Sequence, residues 1–404
     1  MGNAVEKLQE PALVSRFQHL CGLHPGRVVT CPGTRSAGVI GSGALPGCVR
    51  RCEPLRGQER NGGVNGSSCT NSAASKDLCS EVPPYIVNNR ILHFIFIFSA
   101  ALGRESCIIT FLPFCYWNVE PLVGRRVVAM WAVVMYLGQA LKDKIRWPRP
   151  PSPPVVRLET RVEAEYGMPS THAMAATAIP FTFLLTTMDR YRYPLEFGVM
   201  IALSLCVLVS LSRLYTGMHS VLDVICGVVL TAVLLAISFP FWDTVDSLII
   251  HSNLTPALAL CGSFLLCIYY PEMNPWSTTR GDTTIIMGAC AGSTIASWLC
   301  YQFSLTQDVP TESLPFELPS ITFGLIRSMM TRYLVGVSLV VISRQVAKTL
   351  ALSLVCQVMG VSPTDTEARK HLWVEVPYKF ATYSIVGISG FWGGPMLFHY
   401  FGLD

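Results

Sequence analysis

Residues 195–240 read LEFGVMIALSLCVLVSLSRLYTGMHSVLDVICGVVLTAVLLAISFP. Two apolar runs, about 195 to 212 and 219 to 240, enclose a polar knot from Ser212 to Asp223. Each run reaches the roughly 18 residues that let a helix cross a bilayer. The knot, with Arg213, His219 and Asp223, therefore belongs at a membrane boundary, where charged side chains are tolerated. Working outward, further apolar runs lie at about 91 to 117, 125 to 141, 172 to 188, 254 to 271, 283 to 304, 322 to 343 and 378 to 402. The expected fold is all-α: a polytopic helical membrane protein whose multi-span bundle has about nine transmembrane helices. Run 91–117 carries Arg104-Glu105 near its middle and reads either as one crossing or as a hairpin. Run 322–343 carries Arg327 and Arg332, and 344–377 reads as an interfacial helix pair or a loop.

The 404-residue composition agrees with this. Charged residues make up 14% of the chain, against roughly 25% in soluble domains. The net charge of +4 comes from 30 basic and 26 acidic residues without a run of five like charges, so no nucleic-acid partner is expected. Six of the 15 cysteines fall in the first 79 residues, and Cys48 and Cys52, the closest pair, have no histidine nearby; neither a disulfide framework nor a zinc site is indicated. Residues 1–84, rich in Gly, Ser, Asn, Pro and Arg and apolar only in a short patch around Leu8 to Leu20, read as a mostly disordered tail, and 85–404 as a membrane-embedded domain. The start, Met1 to Glu6, has no Ser or Thr at the sixth position for myristoylation and no secretory signal, which leaves targeting to the spans.

Three polar segments carry the chemistry. Lys142-Asp143-Lys144-Ile145-Arg146-Trp147-Pro148-Arg149-Pro150 ends one span and enters a proline-rich loop that holds its cations on a stiff backbone. Taken alone, it is equally a positive-inside signal with a proline linker, or a proline-rich ligand. Tyr166-Gly167-Met168-Pro169-Ser170-Thr171-His172 stands where a loop meets an apolar span. Ser170 and Thr171 are N-cap candidates, and helix-start N–H groups suit an anion, although a capped helix with an interfacial histidine explains as much. In Ser212–Asp223, His219 and Asp223 are four residues apart. On a helix they share a face, so the carboxylate can accept one ring N–H and direct the other nitrogen outward as a base or nucleophile. A structural pair is the alternative. Together, three cations (Lys142, Arg149, Arg213), helix-start amides, two histidines and one acid are the parts for phosphoryl transfer without a metal. The first two segments share a loop, and two further spans return the chain to the same face before the third.

The patterns K-x6-R-P (Lys142 to Pro150), P-S-x-H (Pro169 to His172) and S-R-x5-H-x3-D (Ser212 to Asp223) resemble the three signatures of the type-2 phosphatidate phosphatase superfamily. The wording around them, with Ser152-Pro153-Pro154-Val155-Val156 and Glu165 to Met174, is similar to the sphingosine-1-phosphate phosphatase family. The similarity continues through Trp276 to Thr283 and Glu375 to Tyr378, over most of residues 90–404. In the tail it is confined to Ser15-Arg16-Phe17-Gln18-His19-Leu20-Cys21-Gly22.

This resemblance implies that His219 forms a phosphohistidine and that Asp223 orients its ring. His172 would protonate the leaving alkoxide, while Lys142, Arg149, Ser170 and Arg213 hold the phosphoryl oxygens. It further implies a catalytic core at about 125–240, no cofactor and no metal. The substrates would be sphingosine-1-phosphate and its dihydro form, at the endoplasmic reticulum with the active site toward the lumen. The superfamily more often has glycine where Thr171 stands, and Thr171 is assigned no catalytic role. Arg125, Arg126, Arg190 and Arg192 lie on loops of the opposite face, which the positive-inside rule makes cytosolic. Alternatives are a superfamily phosphatase for another lipid or a soluble phosphate ester, a lipid phosphotransferase, and a non-enzymatic transporter or scaffold. Arg280-Gly281-Asp282 lies in an interspan loop and reads as a structural or headgroup contact, not an adhesion motif. Oligomeric state is not legible.

Overall fold

The computed structural model describes residues 2–26, 28–29, 38–39, 85–159, 165–271, 277–306 and 314–403. Fourteen α-helices follow in order: α1 (Gly2–Gln9), α2 (Pro11–Leu20), α3 (Arg90–Leu102), α4 (Glu105–Asn118), α5 (Pro121–Ile145), α6 (Thr171–Thr187), α7 (Leu195–Tyr215), α8 (Val221–Ser238), α9 (Trp242–His251), α10 (Thr255–Ile268), α11 (Thr279–Gln302), α12 (Phe323–Met359), α13 (Leu372–Ile388) and α14 (Gly394–Phe401). Among the described residues, strands are two- and three-residue pairings only, such as Leu23–Pro25 antiparallel to Tyr85–Val87. The all-α, polytopic architecture is thus as the apolar runs indicate.

Every one of the nine apolar runs falls on helix, but the count of long spans is lower. Among the described residues, five helices are long and apolar enough to cross a membrane, or six when α3 and α4 are taken as one bent span. At 14 and 17 residues, α10 and α6 are short for a crossing of the roughly 20 residues a bilayer core needs. The segment 344–377 is neither pure loop nor an interfacial pair. α12 continues unbroken through Arg344 and Lys348 to Met359, because no helix breaker intervenes before Gly360, whose φ of 66° ends it.

The break between α3 and α4 bends the chain by 64°. The α3 end of this pair meets Tyr215 at the C-terminus of α7, through a 2.9 Å hydrogen bond between His93 Nδ1 and the Tyr215 hydroxyl. The α4 end meets the other extremity of the bundle, where Trp117 Nε1 donates to the Gly390 carbonyl and Arg332 donates to that of Trp117. Residues 90–118 therefore make a single broken crossing, not a hairpin.

The core forms around α5 and α11. Val127, Trp131 and Met135 of α5 pack with Leu112 and Trp117 of α4 and with Ile286 and Ala296 of α11. At one end of the bundle, Arg125 and Arg126 pair with Asp246, and Arg190 pairs with Glu120. The other end gathers the C-termini of α5 and α7 and the N-termini of α6, α8 and α11.

The tail is not structureless throughout. α2 buries Val14 and Gln18 against α7 and the 155–158 loop. Helix α2 coincides with the short apolar patch around Leu8 to Leu20, the exception within the expected mostly disordered tail. Residues 40–84, with Cys48 and Cys52, lie outside the described residues.

Candidate active site

Each of the seven residues singled out in the sequence lies at that second end of the bundle. Lys142 is one turn from the C-terminus of α5, and Arg149 is on the loop that follows. Ser170 caps α6, its hydroxyl accepting from the Ala173 N–H at 3.5 Å, and His172 is the second residue of that helix. Arg213 is in the last turn of α7, His219 in the α7–α8 turn, and Asp223 in the first turn of α8.

Backbone hydrogen bonds tie the three segments together. The Gly167 N–H donates to Trp147 O at 2.7 Å, and the Ser170 N–H to Asp223 O at 3.0 Å. Arg149 Nη1 reaches Met218 O at 3.0 Å, which joins the first segment to the third. Gly217 makes the turn that presents His219. Its φ is 70°, and a Cβ there would sit 2.2 Å from Val156 O, so both conformation and space require glycine.

The result is a buried cationic site. Lys142, Arg213 and His219 are each no more than 2% exposed. Lys142 Nζ donates to Thr171 Oγ1 at 3.1 Å and lies 3.4 Å from Glu165 Oε2. Arg149 Nη2 is 3.6 Å from the same carboxylate oxygen, and Arg149 Nε donates to the Glu165 carbonyl at 2.8 Å. Arg213 pairs with Glu159 at 3.4 Å. Burial, and then the charges of Arg149, Lys142 and Arg213, hold the His219 ring well below the ordinary histidine range, so it is neutral at pH 7.

Asp223 differs from expectation in detail. Its Oδ2 accepts from the Ser220 N–H at 2.7 Å while the Ser220 hydroxyl accepts from the Asp223 N–H, a complete capping box at the start of α8. His219 Nδ1 is 3.8 Å from that same Oδ2, an ion-pair distance beyond hydrogen-bond reach. The carboxylate is committed to the helix start and acts on the ring through space. Among the described residues no group of three His, Cys, Asp or Glu side chains converges to hold a metal ion.

Comparisons with known proteins give the family. Residues 124–246 match the PAP2 superfamily. Along its whole length the chain is 43% identical to sphingosine-1-phosphate phosphatase 2 of Homo sapiens, covering 100% of both proteins. The chain belongs to the sphingosine-1-phosphate phosphatase family. Sphingosine-1-phosphate phosphatase 1 of Rattus norvegicus is 37% identical over 98% of this chain and 97% of its own. Lipid phosphate phosphatase delta of Arabidopsis thaliana is 25% identical over 66% of each. No solved structure matches.

The chain is therefore a multi-pass membrane phosphatase, and several residues of its site were not legible as such. Asp143, 2% exposed, accepts from the Tyr270 hydroxyl at 2.6 Å and from Thr279 Oγ1 at 2.7 Å, fixing the end of α5 to α10 and α11. Glu159 and Glu165 hold the cations, and only their place between the first two motifs hinted at this. Gln18 donates to Val156 O and Tyr215 O and accepts from the Val156 N–H. Its signal was the family-like stretch Ser15 to Gly22 in an otherwise dissimilar tail.

Proposed function

We propose that this phosphatase hydrolyses sphingosine-1-phosphate and dihydrosphingosine-1-phosphate to the sphingoid base and inorganic phosphate. The observation that supports this best is the convergence of Lys142, Arg149 and Arg213 around a neutral, buried His219, with His172 beside them. The relatives' names supply the substrate class. Residues 125–240 form the catalytic core of this reading, and the endoplasmic reticulum membrane, with the site toward the lumen, is its location.

His219 Nε2, the ring nitrogen away from Asp223, attacks phosphorus. The N–P bond forms as the P–O bond to the sphingoid C1 oxygen breaks, and His172 gives its proton to the departing alkoxide. His172 then takes a proton from water, whose oxygen attacks phosphorus and releases His219 and phosphate. Lys142, Arg149, Arg213 and the amides behind Ser170 neutralise the equatorial oxygens throughout, which is the electrostatic part of phosphoryl-transfer catalysis. An apolar groove of about 440 Å³ between α6, α7 and α8, lined by Thr177, Phe181, Leu203 and Val228, offers room for an alkyl chain beneath His172.

Phosphate release from sphingosine-1-phosphate, lysophosphatidate and glucose-6-phosphate, measured side by side on the purified protein in detergent, tests the reading. The sphingoid phosphate is expected to be turned over with the highest kcat/KM. A higher value for either of the others would replace the substrate.

A further inference from the structure

The cations of the site are held by two carboxylates that the hydrolytic mechanism does not use, and the two are not equivalent. Glu165 bridges Lys142 and Arg149, and its own carbonyl is bound by Arg149. Glu159 lies on the other flank. Its two oxygens are 3.4 and 3.5 Å from Nη1 and Nη2 of Arg213, and Arg104 Nη2 approaches to 4.0 Å. Its side chain keeps 22% of its surface exposed, against 1% for Arg213, so it is reachable from outside the buried site.

This flank belongs to His172. Arg213 joins Glu159 to this side, whereas Arg149 is bound to Met218 O, next to His219. The α3–α4 break gives the same placement by geometry. A Cβ built on Gly103 would lie 3.2 Å from His172 Cδ2, and the next residue, Arg104, is the one that reaches Glu159. Glu159 thus stands on the side where the leaving oxygen departs, and Glu165 on the nucleophile's side.

In a sphingoid-base phosphate the carbon bonded to the leaving oxygen is followed at once by a carbon bearing an ammonium group. We propose that Glu159 is a specificity-determining residue whose carboxylate holds that ammonium, an inference that rests on the substrate reading above. When the phosphate enters, its oxygens take over Arg213 and leave Glu159 only the exposed Arg104, at 4.0 Å. A partly buried carboxylate in that state is costly, and the substrate's own ammonium replaces the lost partner. The dianion takes the place of the carboxylates on the three cations, and the ammonium takes the place of Arg213 on Glu159. A phosphate ester without an amine leaves Glu159 facing the phosphate uncompensated, which selects against it.

The test compares sphingosine-1-phosphate with octadecyl phosphate, a long-chain phosphate monoester without an amine, on the full-length protein in detergent. Wild type is expected to favour the amine by at least about tenfold in kcat/KM, the scale of one charge-assisted hydrogen bond. Glu159→Gln should lower kcat/KM for sphingosine-1-phosphate about ten- to a hundredfold more than for octadecyl phosphate, with Glu159→Asp intermediate. Parallel loss on both substrates, or full retention on sphingosine-1-phosphate, overturns the assignment. Should Glu159→Gln not fold, wild type decides with N-acetylated sphingosine-1-phosphate, whose amide is neutral. Turnover near that of octadecyl phosphate is expected, and turnover equal to the free amine overturns the inference. A wild type inert on sphingosine-1-phosphate but active on another ester would remove the substrate reading itself. Turnover that ignores both the amine and Glu159 removes only this inference.

Discussion

His219 and His172 are both histidines in one buried cationic site, yet their places predict unequal consequences of removal. With the proposed roles, His219→Ala abolishes both turnover and covalent phosphate labelling. His172→Ala loses turnover of the natural ester but keeps partial labelling from a substrate with an activated leaving group, which needs no proton. Equal loss of labelling in both variants would reject the division of roles. The pH profile gives a second test. Because burial and three cations disfavour protonated His219, the ring stays neutral below its ordinary range, and the acid limb of kcat/KM governed by this group lies below pH ~6.5. Removing one of those charges with Arg149→Gln raises the His219 value, so the limb should move toward higher pH while the overall rate falls. A limb that stays in place would show that another group sets it.

At the scale of elements, the turn between α7 and α8 and the small helix α2 act on the same backbone. Gly217 approaches Val156 O, and Gln18 clasps Val156 from the other side. Gln18→Ala leaves two carbonyls and one N–H without their partner, and is expected to cost about 1–3 kcal/mol of stability. A thermal melt in detergent reads this directly, and an unchanged melting temperature would mean that α2 does not hold the loop in solution. The capping box at α8 explains why Asp223 stays where it is: the Ser220 amide donates to its carboxylate and the Ser220 hydroxyl accepts from its backbone N–H. Helix capping and the placement of a charge near His219 are here one interaction.

Across the whole molecule, the single broken crossing of residues 90–118 sets which face each segment shares. α2 touches Val156 and Tyr215, and Leu23–Pro25 pairs with Tyr85–Val87, so the chain leaves and re-enters on the face of the catalytic segments. Asn253 lies between α9 and α10, at the opposite end from Tyr270, which bonds Asp143. With the catalytic face in the lumen, the sequon at Asn65 is expected to carry a glycan and that at Asn253 none. Endoglycosidase shifts on Asn65→Gln and Asn253→Gln decide this, and a glycan on Asn253 would put the catalytic face in the cytosol. Three side-chain cations surround the reacting group, so turnover is also expected to persist in excess EDTA. Loss on chelation with recovery on adding magnesium would contradict the proposed mechanism.

By itself the sequence determined the features that rest on short-range pattern. Apolar runs longer than a few turns dictate helices and a membrane, and His219 and Asp223 at a four-residue interval dictate a shared helix start. Motif order with two spans between the second and third dictates that the polar segments meet. The limits of such reading have equally physical causes. Apolar length does not fix how much of a run is helical: α10 reaches from Asn253 to the end that holds Tyr270 with only 14 helical residues, and so nine runs became five or six long spans. Composition could not reveal α2, whose stability comes from Gln18 and Val14 meeting loops more than a hundred residues away. Asp143, Glu159 and Glu165 read as ordinary loop or helix-end charges until the fold closed them onto Tyr270, Arg213 and Lys142. Which carboxylate faces which cation is a property of distances between segments, and only the tertiary structure decides it.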